Sequence, residues 1–122
     1  MKPNWLVFFL LLALAACSPA PKFDETRLGT VDRDIRYCEM DGTGVLMDIY
    51  YPPKNNGPWP VLLHVHGGGW SSGSKDNSYI FPDFTEPGIL GVEVGYRLAP
   101  GAQFPAQIDD VKCAVRYLRA HA

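Results

Sequence analysis

An α/β fold with parallel strands in its sheet is the class this 122-residue sequence predicts. Three observations predict it. Val61 to Val65 is an almost unbroken apolar run bounded by Pro60 and a glycine cluster, as expected of a strand covered on both faces. Ile89 to Tyr96 is a second such run, although Glu93 and Gly95 weaken it. Between Pro105 and the C-terminus, Ile108, Val111, Ala114, Val115 and Leu118 recur at helical spacing. Strands that alternate with helices in this way build a sheet with parallel members.

The elements follow in order. Ile35 to Cys38 reads as a short first strand, Asp41-Gly42-Thr43-Gly44 as a turn, and Val45 to Tyr51 as a second strand stopped by Pro52-Pro53. A loop over 54–58 leads through Trp59-Pro60 into Val61 to Val65. From Ser71 to Pro87 any helix, starting near Lys75 or Asp76, is short or broken, because Pro82 and Pro87 interrupt it. In the last helix Pro105 suits the first turn. Asp109 and Asp110 lie early and Arg116, Arg119 and His121 late, which suits the helix dipole.

The N-terminus is a separate matter. Lys2 precedes the apolar run Trp5 to Ala15, which is too short to span a bilayer and fits a secretory h-region. Leu14-Ala15-Ala16-Cys17 resembles a bacterial lipobox, with Cys17 the lipidated residue. This divides the chain into a lipoprotein signal peptide at 1–16, a lipidated cysteine and tether at 17–32, and a folded domain at 33–122. Several acyl chains on Cys17 would hold the protein on a bacterial cell envelope. Ser18, rather than Asp, points to the outer membrane if the source is Gram-negative. Export implies an oxidising compartment. Yet at ~100° per residue Cys113 points away from the apolar stripe of its helix, so Cys38 and Cys113 are expected as two free thiols. The balance of 11 basic and 13 acidic residues leaves no basic stripe, which excludes nucleic acid as an expected partner.

His66-Gly67-Gly68-Gly69-Trp70, directly after the Val61–Val65 strand, carries the chemistry. Three residues without Cβ let the backbone take positive φ and approach a ligand closely. A bare N–H at such a turn can hold an oxyanion developing during acyl transfer. Other residues tempt a different reading. Gly69-Trp70-Ser71-Ser72-Gly73 matches G-x-S-x-G literally, but Ser71 would attack from within the turn that binds its product. His64 and His66 alternate onto one strand face without a third ligand at a sensible spacing, so no metal or other cofactor is expected. Asp109 and Asp110 could pose as catalytic acids, and helix-dipole charges are the better reading. Trp70 and Phe81 could line an acyl pocket or pack in the core.

Taken jointly, the motifs resemble the N-terminal part of α/β-hydrolases of the hormone-sensitive-lipase-like and feruloyl-esterase-like (BD-FAE-like) group. The resemblance is carried by Leu46 to Pro52, Gly57 to Pro60, His66 to Trp70 with Gly73-Ser74-Lys75, and Tyr96 to Pro100 followed by Phe104-Pro105-Ala106 and Asp110. It covers about residues 33–121. It implies an incomplete α/β-hydrolase sheet preceded by a signal peptide, with Gly68 and Gly69 as oxyanion-hole donors. His66, Gly67 and Trp70 become the supporting loop. It also implies a nucleophile elbow on the next strand, then an acid and a histidine; none of these triad parts falls within residues 1–122. The expected function is therefore a fragment of a serine-dependent carboxylic-ester hydrolase, inactive alone. Its partners would be a small ester substrate, once completed by the missing half, and the membrane through the lipid. The alternative is a small envelope lipoprotein with a binding or structural role on a half-domain. In the family the Val61–Val65 strand is internal, so here one edge of it is expected to be bare, and the isolated chain only marginally stable.

Overall fold

The computed structural model describes residues 25–122, apart from 55 and 78–80. The signal peptide, Cys17 and most of the tether lie outside the described residues. Strand β1 spans Val31–Met40, β2 Thr43–Tyr50, β3 Val61–Val65 and β4 Leu90–Val94. Helix α1 spans Phe81–Thr85 and α2 Ala106–Ala120, with single 3-10 turns at Glu25–Arg27 and Lys75–Asn77. The four strands form one sheet in the order β1-β2-β4-β3. β1 with β2 and β2 with β4 run antiparallel, and only β3 with β4 is parallel. The fold is thus α/β with a partial, mixed sheet.

Asp41 and Gly42, both at positive φ, close the β1–β2 hairpin, so β1 extends well beyond the expected Ile35–Cys38. The chain also joins the fold before residue 33. Leu28 is buried against Tyr50, and Gly29 N–H donates to Tyr51 O at 3.2 Å. The expected tether therefore gives its last residues to the domain.

The two faces of the sheet differ. Met47, Ile49, Val92 and Val94 make one face and form the core with Tyr37, Val45, Leu90 and Ala114 of α2. The opposite face carries a row in register: Asp48 beside Glu93 beside His64. Glu93 does not weaken β4, because the strand is buried throughout and His64 Nδ1 lies 2.5 Å from Glu93 Oε2.

Three expectations need correcting. β3 is not covered on both faces: among the described residues it pairs only with β4, Val61 is 51% exposed and its other residues are half-buried. α2 docks by only part of the apolar stripe, through Ala114 and Leu118. Gln107, Asp110 and Ala114 are its buried residues, Cys113, Tyr117 and Leu118 pack at the core, and Ile108, Val111 and Val115 stay half-exposed. The helix is turned from its most apolar direction because the polar Gln107 and Asp110 have partners in the loop before it: Gln107 Nε2 donates to Ala102 O at 3.0 Å. That rotation overturns the third expectation. Cys113 faces β1, and Cys38 and Cys113 form a disulfide with Cα atoms 6.2 Å apart.

Candidate functional site

The site begins where β3 stops. Gly68, Gly69 and Trp70 take φ of 119°, 60° and 67°, three successive left-handed residues that reverse the chain. Glycine is required at Gly68, where a Cβ would overlap the Ser72 carbonyl, and at Gly73, where it would overlap the His66 ring and Gly67 O. Gly67, by contrast, opens onto empty space. The Gly68 carbonyl is turned into the loop. It accepts from Ser71 N and Ser72 N at 3.2 and 3.1 Å, and from the Ser71 and Ser72 hydroxyls at 3.3 and 3.0 Å. The N–H groups of Gly68 and Gly69 meet no acceptor among the described residues, and both glycines are exposed. Such a turn can donate two backbone hydrogen bonds to an anionic oxygen without first breaking any.

The segment after β4 grips this turn. Tyr96 donates from its hydroxyl to His66 O at 2.9 Å, and its ring stacks on the His66 imidazole with centroids 4.2 Å apart and planes 11° apart. Trp70 packs edge-on against the other part of Tyr96 at 5.6 Å, and Ala99 N–H donates to Trp70 O at 2.8 Å. Burial pushes the Tyr96 phenol above its ordinary pKa, so it stays a donor at neutral pH. His66 is itself buried, and its Nδ1–H donates to Gly67 O at 2.8 Å. These contacts of His66 serve the turn.

Tyr96 is held in turn by α2. Asp110 is fully buried and accepts from Arg97 N, Nε and Nη2 at 3.0, 3.0 and 2.8 Å, while Arg97 Nη1 reaches Asp41 at 2.9 Å. Hydrogen bonding to Asp110 raises the Arg97 pKa further still. On the other side, Lys75 Nζ lies 2.9 Å from the fully buried Asp48 and contacts Asp34 and Asp76 at 3.0 and 2.9 Å. Burial alone would lower the Lys75 pKa; its bonds to Asp48, Asp76 and Asp34 outweigh that and raise it. Asp48 thereby ties the downstream end of the glycine loop to β2, and Asp34 N–H adds a bond to Asp48 at 2.8 Å.

His66, Gly67, Gly68, Gly69 and Trp70 are brought together as one turn. His64 and His66 have separate partners, Glu93 and Tyr96, and do not face a common ligand. Ser71 donates to the Gly68 carbonyl of its own turn. Asp110 is neither a free helix-dipole charge nor an acid beside a histidine; it is the anchor of Arg97, a correction of the sequence reading. Asp109 sits half-buried, 3.7 Å from Lys112. Trp70 is 45% exposed and so leans on Tyr96 without entering the core. The side chain of Phe81 and all of Cys17 lie outside the described part. Sequence reasoning missed the Asp48–Lys75 and Arg97–Asp110 ties. The only signal was the presence of charged residues inside otherwise apolar strands or next to them.

A family model, BD-FAE, matches residues 47–122, which include the second half of β2, the glycine turn, the Tyr96 segment and α2. The chain belongs to the BD-FAE family. Among relatives of this BD-FAE chain, carboxylesterase NlhH of Mycobacterium tuberculosis is 37% identical over 90 residues, 71% of this chain and 28% of the relative. A solved truncated form of a carbohydrate esterase from gut microbiota superposes with a TM-score of 0.72 at 25% identity, over 81% of this chain and 36% of that one. A bacterial heroin esterase superposes with a TM-score of 0.63 at 29% identity, over 97% and 36% respectively. The BD-FAE chain thus spans less than a third of the length of the curated relatives it matches, 28% for carboxylesterase NlhH. Its fold is the partial sheet of an α/β-hydrolase esterase.

Proposed function

We propose that this chain is the oxyanion-binding part of a serine-dependent carboxylic-ester hydrolase. The observation that carries the reading is the pair of exposed Gly68 and Gly69 N–H groups, unclaimed by any acceptor among the described residues and fixed by Tyr96. When a serine attacks an ester carbonyl, negative charge develops on the carbonyl oxygen. Donors already aimed at that oxygen stabilise the transition state without reorganising, and the loss of one costs ~3 kcal/mol. The nucleophile, acid and base lie outside residues 1–122, so the chain by itself binds the anion but does not generate it. Ser71 takes no part in bond making, since its hydroxyl supports the Gly68 carbonyl.

The relatives named as carboxylesterase, carbohydrate esterase and heroin esterase support short acyl or aryl esters as the substrate class, including esters on carbohydrate. No step of this chemistry calls on a metal or an organic cofactor. We further propose that Cys17 carries the lipid and anchors the domain to the cell envelope. Labelled palmitate incorporated by the wild type and lost in Cys17→Ala would support that address; labelling of both would sink it.

The catalytic reading is tested with p-nitrophenyl acetate and a serine-directed phosphonate probe. Residues 1–122 should neither hydrolyse the ester nor take up the probe, and the completed enzyme should do both. Ser71→Ala should leave the completed enzyme's turnover unchanged. A total loss on that substitution would place the nucleophile in the turn and overturn the proposal. If the DNA after codon 122 encodes no elbow, acid and histidine in any frame, the half-domain lipoprotein reading takes over.

A further inference from the structure

The disulfide stands at the start of a chain of contacts that ends at the glycine turn. Cys38 on β1 and Cys113 on α2 are 75 residues apart in sequence. One helical turn before Cys113, the same side of α2 presents Asp110, which holds the backbone and guanidinium of Arg97. Arg97 follows Tyr96, whose hydroxyl and ring hold His66, and His66 opens the turn. Ala114, Cys113, Tyr117 and Leu118 of α2 pack at the core of this sheet. Ala114 is its one fully buried apolar residue, and Ile108, Val111 and Val115 remain half-exposed. The disulfide adds to this packing a covalent tie one turn from Asp110.

We propose that Cys38–Cys113 is a redox-conditional latch on the glycine turn. Closed, it holds α2 and, through Asp110 and Arg97, keeps Tyr96 against His66. Open, it lets this end of the sheet loosen. Closing is thiol–disulfide exchange with a disulfide-bearing oxidant of the envelope, either a protein or a small molecule. One cysteine thiolate attacks the oxidant's disulfide and expels one thiolate. The other cysteine thiolate then attacks the mixed disulfide and expels the second. The protein loses two electrons and two protons, and the oxidant leaves as two thiols. In the reducing cytoplasm the latch stays open, and it closes once the protein reaches an oxidising compartment. The catalytic meaning of the latch rests on the esterase reading above; the mechanical claim does not.

Backbone amide order parameters of the full chain, with and without a phosphine reductant, test the mechanics. In the oxidised protein, residues 66–73 and 97–99 should be as rigid as β4, near ~0.85. On reduction they should fall below ~0.6 while β4 holds its value. Asp110→Asn should loosen the same residues with the disulfide intact. A turn equally rigid in both redox states would overturn the latch. So would β4 loosening as much as the turn, or complete unfolding on reduction, since either would make the disulfide a general staple. Should Asp110→Asn fail to fold, the reduced wild type still decides. In the completed enzyme, reduction should lower kcat at least about tenfold with little change in KM, and reoxidation should restore it. Absence of hydrolysis in both redox states would fault the esterase reading, and the order parameters would judge the latch independently.

Discussion

β3 and β4 are parallel neighbours of equal length, and they meet opposite fates. β4 contains a glycine and a glutamate, yet every residue in it is buried. β3 contains four aliphatic residues and one histidine, yet all of it is at least partly open. The difference lies in position. β4 has β2 on one side and β3 on the other, whereas among the described residues β3 has β4 alone. Composition fixes what a strand can tolerate, and its place in the sheet fixes what it experiences. The site joins the two: β3 delivers the glycine turn from the open edge, and β4 delivers Tyr96 and Arg97 from the interior. The open edge thus takes its hydrogen-bond and ring partners from the buried neighbour.

The comparison can be broken from the β4 side first. Asp110→Ala should cost about 4 kcal/mol in urea unfolding, because it leaves the Arg97 guanidinium half-enclosed without its main partner. If it costs less than about 1 kcal/mol, Arg97 is not what ties β4 to α2. Gly68→Ala should lower kcat of the completed enzyme about 100-fold or more, since the Cβ drives the turn off the Ser72 carbonyl and displaces a donor. Gly67→Ala, facing open space, should leave kcat within about twofold and serves as the control. Val92→Ala, at a fully buried position of β4, should cost about 2 kcal/mol.

Tyr37 offers a pH test. Its hydroxyl donates to Gly95 O at 2.7 Å just past the end of β4, and burial, with a smaller push from Asp110, raises its pKa. A raised folded-state pKa means that the stabilisation is intact below about pH 10, where the unfolded phenol titrates, and is lost as pH climbs above it. Tyr37→Phe should cost about 1 kcal/mol at neutral pH and flatten that alkaline decline. An unchanged alkaline slope, followed by denaturant midpoints, would assign the decline to Tyr50, Tyr51 or Tyr96, whose pKa values are also raised. The smallest effect belongs to β3: Val61→Ala should stay within about 0.5 kcal/mol. A larger loss would mean that the edge is covered after all.

The glycine turn was legible in the sequence because its cause is local. Missing Cβ atoms and a preceding apolar run need no knowledge of distant partners. The strands were legible for the same reason, with errors at their ends. What holds the turn was not legible. Asp48 meets Lys75 across 27 residues, and Tyr96 meets His66 across 30. The docking face of α2 was misread because periodicity follows apolar residues, and Gln107 and Asp110 are buried polar ones. The same error hid the disulfide, since the direction of Cys113 was measured from a stripe that faces the sheet only in part.

Trp70 carries one more consequence. Of the three successive left-handed residues in the turn, it alone is not glycine. A bulky side chain at that φ costs on the order of 1–2 kcal/mol. Replacing it with glycine would relieve the backbone and remove the ring that leans on Tyr96. Position 70 is therefore a point where robustness and activity pull apart. Variants selected only for thermal resistance should drift to glycine there, and variants selected for turnover should keep the indole.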